Sequence, residues 1–271
     1  MGRRGELVGV AVAGAVARAT FGSLATNDRL ERMNHRGEPV TLAQGPATVV
    51  GAVAGIALTP RLPGRIRGSA MLAVAAAGAL GAYDDLFGAT STKGLRGHLS
   101  ALSQREVTSG SVKIAGIGTT GLVAGAWSRG GRGGVLDAVL AGVVVAGAAN
   151  LLNLFDLRPG RAAKVYLALA APALLAGEAG GGVLAGPTGA VAVLLPEDLA
   201  ERSMMGDAGA NAVGAALGVA AAATLSRNSL AAVAAGIVGL TLMSERVSFS
   251  ALIDEQPALR VLDSLGRRRS S

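Results

Sequence analysis

Cysteine is absent from all 271 residues, which removes disulfide scaffolds, zinc thiolates, iron–sulfur clusters and thiol nucleophiles from consideration. Histidine is nearly absent: His35 and His98 are the only two, too few for a histidine-rich metal site. Aromatic residues make up 3% of the chain. Charged residues make up 16%, well below the roughly 25% usual in a soluble globular domain. No basic patch is interleaved with aromatics, so the net charge of +7 does not point to nucleic acid as a partner. No fixed-period repeat and no soluble domain of any size can be read along the chain.

What is there is small and apolar. Apolar residues make up 51%, mostly Ala, Val and Leu, and mean hydropathy is +0.48. The 41 glycines suit close helix packing in lipid, where small residues let backbones approach; genomic base composition accounts for them equally well. Apolar stretches of spanning or near-spanning length recur, and they predict helices near 5–25, 47–60, 69–87, 112–128, 135–155, 163–178, 181–196, 208–226 and 229–245. Met1-Gly2-Arg3-Arg4 begins like a signal sequence, but the segment reads as the first transmembrane helix. The expected fold is therefore all-α: a polytopic transmembrane bundle of about nine helices over residues 1–250, followed by a basic, cytoplasmic tail over 251–271. In that tail Leu259, Leu262 and Leu265 recur at helical spacing with charges between them, the pattern of an interfacial amphipathic segment or, as a second reading, of a contact with a partner protein.

Lysine and arginine set the expected orientation, because cytoplasmic loops retain positive charge. With the N-terminus outside and the C-terminus cytoplasmic, the inner loops and tail hold sixteen Lys and Arg and the outer segments eight, with all three lysines inside. This topology puts four acidic residues at the cytoplasmic ends of apolar runs: Asp84, Asp85, Asp156 and Asp207. A carboxylate beside a hydrocarbon segment is costly to keep, so several on one face suggest a site for a cation and a phosphorylated ligand.

Each motif has a plain reading beside a functional one. Asp84 and Asp85 are adjacent and cannot share one helix face, so one can meet a metal while the other meets a substrate; both can also be solvated boundary residues. Asn150, Asn153 and Asp156 make a loosely polar stripe that suits a nucleotide or sugar, or hydrogen bonds between helices. Asp207 stands at a helix start, where an Asp serves as an N-cap and where amides also favour a metal-bridged phosphate. Arg158, Arg161 and Lys164 are candidate phosphate contacts or positive-inside anchors.

In order, Gly81-Ala82-Tyr83-Asp84-Asp85, Asn150-Leu151-Leu152-Asn153-Leu154-Phe155-Asp156 and Met205-Gly206-Asp207-Ala208-Gly209 resemble the motifs of the polyprenyl-phosphate N-acetylhexosamine-1-phosphate transferase family. That family includes the phospho-MurNAc-pentapeptide transferase of peptidoglycan synthesis and the UDP-GlcNAc:undecaprenyl-phosphate GlcNAc-1-phosphate transferases. The loop from His35-Arg36-Gly37-Glu38-Pro39 to Gly45 is similar to the family's first cytoplasmic loop, and Lys113 stands where the family often has a basic residue. The resemblance covers about residues 30–215. Two features depart from it: Pro159 stands where a second Asp is usual, and residues 244–250 contain no His where the family's late loop is often His-rich.

The resemblance implies a bacterial plasma-membrane enzyme of cell-wall biogenesis that uses Mg²⁺, or Mn²⁺. It would move a HexNAc-1-phosphate from a UDP-sugar to polyprenyl phosphate. Asp84, Asp85 and Asp207 would be catalytic, with Asp207 and Asp85 on the metal. Asn150, Asn153, Asp156, Lys113, Arg158, Arg161, His35 and Arg36 would bind substrate. A homodimer stays open. Other readings are a catalytically impaired paralogue that binds polyprenyl phosphate or acts as a scaffold, and a small transporter.

Overall fold

The computed structural model describes residues 4–34, 36–88, 108–131 and 133–268. The described residues form eleven α-helices and one small sheet. In chain order these are α1 (Arg4–Leu24), strands β1 (Glu31–Met33) and β2 (Pro39–Thr41), α2 (Gln44–Leu58), α3 (Gly64–Phe87), α4 (Ser109–Arg129) and α5 (Gly134–Phe155). There follow α6 (Arg161–Ala176), α7 (Ala179–Leu199), α8 (Gly206–Thr224), α9 (Arg227–Ser244), α10 (Phe249–Glu255) and α11 (Pro257–Ser264). Each apolar segment expected to be helical is helical. Helices are the economical answer to such sequences, because every backbone donor and acceptor is satisfied within the segment.

Five helices, α1, α3, α5, α7 and α9, are long and apolar enough to cross a membrane by length and composition. The architecture is that of a multi-pass helical membrane bundle. Of the other long helices, α2 is apolar but has only 15 residues. Helix α8, built mostly of Ala and Gly, is not one of the five. It is buried along almost its whole length, so its alanines and glycines face protein rather than lipid.

Helix α8 is the axis of the bundle. It packs most extensively on α3 and α5, and also meets α2, α4, α6 and α7. With Ala or Gly at most positions, neighbouring backbones come close and gain dispersion contacts that larger side chains would prevent. Tyr166 of α6 is the largest fully buried side chain, and its hydroxyl donates to the Leu184 carbonyl at 3.1 Å, which satisfies an otherwise costly buried group. Helix α1 packs on α2 and α7 as a second layer, where Ala13, Ala17 and Phe21 meet Ala43, Ala47, Ala190 and Leu194. Helix α9 leans chiefly on α5.

The two ends of the bundle differ. At one, Asp137 of α5, almost fully buried, pairs with Arg129 of α4 at 2.7 Å and with Arg227 of α9. Arg129 also donates to the Ala222 and Leu225 carbonyls, which closes the end of α8. The other end gathers the C-termini of α3, α5 and α7, the N-termini of α4, α6 and α8, and the hairpin β1–β2.

Three local features depart from the sequence reading. The loop between α1 and α2 contains an antiparallel two-stranded sheet, with Arg32 opposite Val40, and Thr41 bridges to Ser203. Strands of three residues are too short to leave a period in the sequence. The tail forms two short helices, one of which docks back on the body. Asp156 is the C-cap of α5 rather than part of its helical stripe, with φ −79° and ψ 44°.

Candidate functional site

The end of α3 meets the start of α8 at Gly81. A Cβ there would run into the Asp207 carbonyl, so the small residue is what lets the two backbones touch. One turn further along α3, Asp85 faces the N-terminus of α8. Its Oδ1 accepts from the Asp207 amide and its Oδ2 from the Ala208 amide, both at 3.0 Å. These are two of the amides that a helix start leaves without an internal partner, and a carboxylate there also meets the positive end of the helix dipole. Asp207 is thus not the cap of α8. Met205 occupies the N-cap position without a side-chain bond, and Asp85 supplies the cap from another helix. Gly206 opens α8 with φ +62°, a conformation that glycine adopts without a Cβ penalty. Arg32 of β1 donates to the Asp85 carbonyl at 2.7 Å and ties the hairpin to this junction.

Lys113, at the start of the second turn of α4, sits between two carboxylates. Its Nζ lies 2.7 Å from Asp84 Oδ2 and also bonds Asp207 Oδ2. All three side chains are partly accessible, at 16–26%. Thr108 and Ser111 form a reciprocal cap at the start of α4, which fixes the turn that leads to Lys113.

Beside this cluster lies a cleft of about 190 Å³ lined by Asp156, Arg158, Pro159, Asp198, Glu201 and Asn34, among others. Asp156 Oδ2 is buried and has no hydrogen-bond partner among the described residues. Burial, together with the charges of Asp198, Asp207 and Asp85, pushes the Asp156 carboxyl well above the ordinary range. Asp198 accepts from the Gly160 amide at 2.9 Å and from Gln44 Nε2 at 3.2 Å. Glu201 pairs with Arg36 at 3.0 Å, accepts from Asn34 at 3.2 Å, and holds a left-handed backbone with φ 56°. Non-glycine residues adopt that conformation rarely and at some cost.

The structure therefore brings Asp84, Asp85, Lys113 and Asp207 into one bonded cluster, with Asp156 and Arg158 in the adjoining cleft and Arg36 joined to it through Glu201. Asn150 and Asn153 lie half-buried on the last two turns of α5, and their side-chain amides make no hydrogen bond with the described residues. His35 lies outside the described residues. Arg161 is not part of the cluster: it is buried and fully engaged with Asp263, at 2.7 and 2.9 Å, and with Ser250 at 2.7 Å. Lys164 likewise turns to the carbonyls of the tail.

Sequence reading missed Asp198, Glu201 and Gln44. Asp198 carries the same signal as Asp84 and Asp156, an acid at the end of an apolar run. Reading the helix as ending at 196 hides it, because α7 continues to Leu199.

No protein-family model matches the chain, and no curated protein matches it.

Among the described residues no group of three or more His, Asp or Glu side chains is arranged to hold a metal. Asp84 and Asp207 nevertheless present hard oxygen donors to one point charge, the Lys113 ammonium. That donor set fits an ion that takes one or two carboxylates and completes its shell with phosphate and water oxygens, as Mg²⁺ does.

Proposed function

We propose that the chain is a membrane glycosyl-1-phosphate transferase, moving HexNAc-1-phosphate from a UDP-sugar to polyprenyl phosphate. The observation that carries this reading is the meeting of Asp84–Asp85, Lys113 and Asp207 at one end of the bundle, beside a cleft that holds Asp156. These residues lie far apart in sequence and include the motifs that resemble the transferase family.

In this reaction an oxygen of the lipid phosphate forms a bond to the sugar-linked phosphorus. The bond from that phosphorus to the oxygen bridging it to the nucleotide phosphate breaks, and UMP leaves with that oxygen. Positioning and charge neutralisation accelerate such a transfer without a protein nucleophile. Asp207 and Asp84 would hold a Mg²⁺ or Mn²⁺ ion. Asp84 suits this better than Asp85, because both Asp85 oxygens are committed to the α8 amides. Bound there, the ion supplies neutralising charge to the diphosphate. Lys113 offers a second positive charge at the same point and orients both carboxylates. Asp85 keeps the start of α8 against α3. Asp156, Asn153 and Arg158 would receive the sugar nucleotide. The site would face the cytoplasm of a bacterium, in keeping with the excess of Lys and Arg at that end, and would serve cell-wall glycan synthesis.

The test is transfer of radiolabelled sugar phosphate from UDP-HexNAc to polyprenyl phosphate in membranes containing the protein and Mg²⁺. Loss of one preorganised electrostatic group typically costs about a hundredfold or more, and Asp207→Asn is expected to lose at least that. Full activity in that variant sinks the assignment.

A second reading, a polyprenyl-phosphate-binding protein without turnover, is favoured by Pro159. It stands where the family's second Asp is usual, and its carbonyl is occupied by Arg267 at 2.9 Å. Saturable binding of the lipid and UDP-sugar with no transfer would select it.

A further inference from the structure

Helix α11 is anchored by its polar side alone. Of its eight residues only Asp263 is partly buried, the others being exposed, and Asp263 takes the two-pronged bond from Arg161. Lys164 grips the end of the helix through the carbonyls of Leu262, Asp263 and Leu265, where a cation meets the negative end of the dipole. Beyond it, Arg267 donates to Pro159 and Arg268 to the Leu199 carbonyl and the Glu38 carboxylate. Those bonds tie the segment to three parts of the cleft rim: the hairpin loop, the α5–α6 connection and the end of α7.

Among the described residues nothing covers the opposite side of α11. Leu259, Val261, Leu262 and Leu265 are 46–60% exposed. At about 100° per residue, Ala258, Val261, Leu262 and Leu265 fall on one arc with Leu259 at its edge, and Arg260, Asp263 and Ser264 fall on the other. One short helix, α10, separates this apolar arc in the chain from the exposed Leu240, Leu242 and Met243 of α9 and from Val247, a surface that a membrane bundle presents to lipid. Arg246 and Arg260 are exposed and make no ion pair with the described residues, which suits anionic headgroups. Exposed Asp254 and Glu255 lie just before the helix, so the apolar arc rather than net charge carries the contact.

We propose that α11 lies in the lipid interface at the end of the bundle where the acidic cluster opens, apolar arc inward, and that the Asp263–Arg161 bond couples this membrane contact to the rim of the cleft. The inference rests on the membrane architecture and not on the transfer reaction, and its readout needs no activity.

Because the chain has no cysteine, single Cys substitutions can carry a nitroxide label without background. Labels at Leu259, Arg260, Leu262 and Ser264, all exposed, are placed in the full-length protein in vesicles of phosphatidylethanolamine and phosphatidylglycerol. Accessibility to oxygen relative to a water-soluble nickel chelate is expected to be several-fold higher at 259 and 262 than at 260 and 264. Higher chelate access at 259 and 262 overturns the proposal. So does immobilisation there with access to neither reagent, which means a protein covers the arc. In an Asp263→Ala background the Ser264 label is expected to gain mobility; unchanged mobility overturns the coupling to the cleft.

Discussion

Asp85 closes the N-terminus of the helix that carries Asp207: its two carboxylate oxygens take the Asp207 and Ala208 amides at 3.0 Å each. One acid of the cluster thereby fixes the backbone of another, and the two have different jobs.

Removing that cap should cost stability. Asp85→Ala leaves two amides without acceptors and is expected to destabilise by about 1–2 kcal/mol, the usual range for a lost cap. Asp84→Ala, which removes partly exposed side-chain contacts, chiefly to Lys113, and leaves the α8 amides capped, should cost less. Thermal unfolding in detergent followed by circular dichroism compares them; equal losses would falsify the cap.

Gly81→Ala forces a methyl group against the Asp207 carbonyl. Overpacking of this kind costs about 1–3 kcal/mol. The same unfolding experiment should show a clear drop, whereas Gly118→Ala, where a Cβ meets open space, should not. A wild-type melting curve for Gly81→Ala would contradict the approach of α3 to α8.

Lys113→Met leaves Asp84 and Asp207 without the ammonium that joins them. The variant is expected to be less stable than the parent and to regain part of the loss with millimolar Mg²⁺, more than the parent gains. An ion that binds the folded state alone raises the apparent melting temperature with its concentration. Absence of any Mg²⁺ response in the variant argues against an ion at these two carboxylates.

The Asp263 latch has a defined pH window. Burial raises its carboxyl, but Arg161, then Arg267 and Lys164, outweigh this and hold it below the ordinary 3.8. A depressed carboxyl stabilises fully above its unfolded value and loses that contribution as pH falls through the folded one. A nitroxide at Ser264 should therefore stay ordered through neutral and mildly acidic pH and loosen only below about pH 4. Loosening near pH 6 would assign the latch to another group.

The helices were legible because spanning apolar runs and their Gly and Pro breaks mark both existence and approximate ends. The acids of the site were legible for the same reason, since Asp84, Asp85 and Asp156 stand where such a run stops and Asp207 where one starts. What Asp85 does was not, because its partners are amides on a helix more than a hundred residues away. Glycine at 81 reads as composition until the backbone beside it is known. The hairpin was hidden by strands of three residues. Arg161 and Lys164 look like phosphate ligands by position, and only the returning tail reveals that Asp263 and carbonyl oxygens already take them.

The Arg129–Asp137–Arg227 group lies at the end of the bundle away from the cleft. One carboxylate there holds guanidinium groups from two other helices, so it rivets α4, α5 and α9 together. At the opposite end the hairpin, through Arg32 on the Asp85 carbonyl, and the returning tail, through Asp263 on Arg161, fasten the helices from outside.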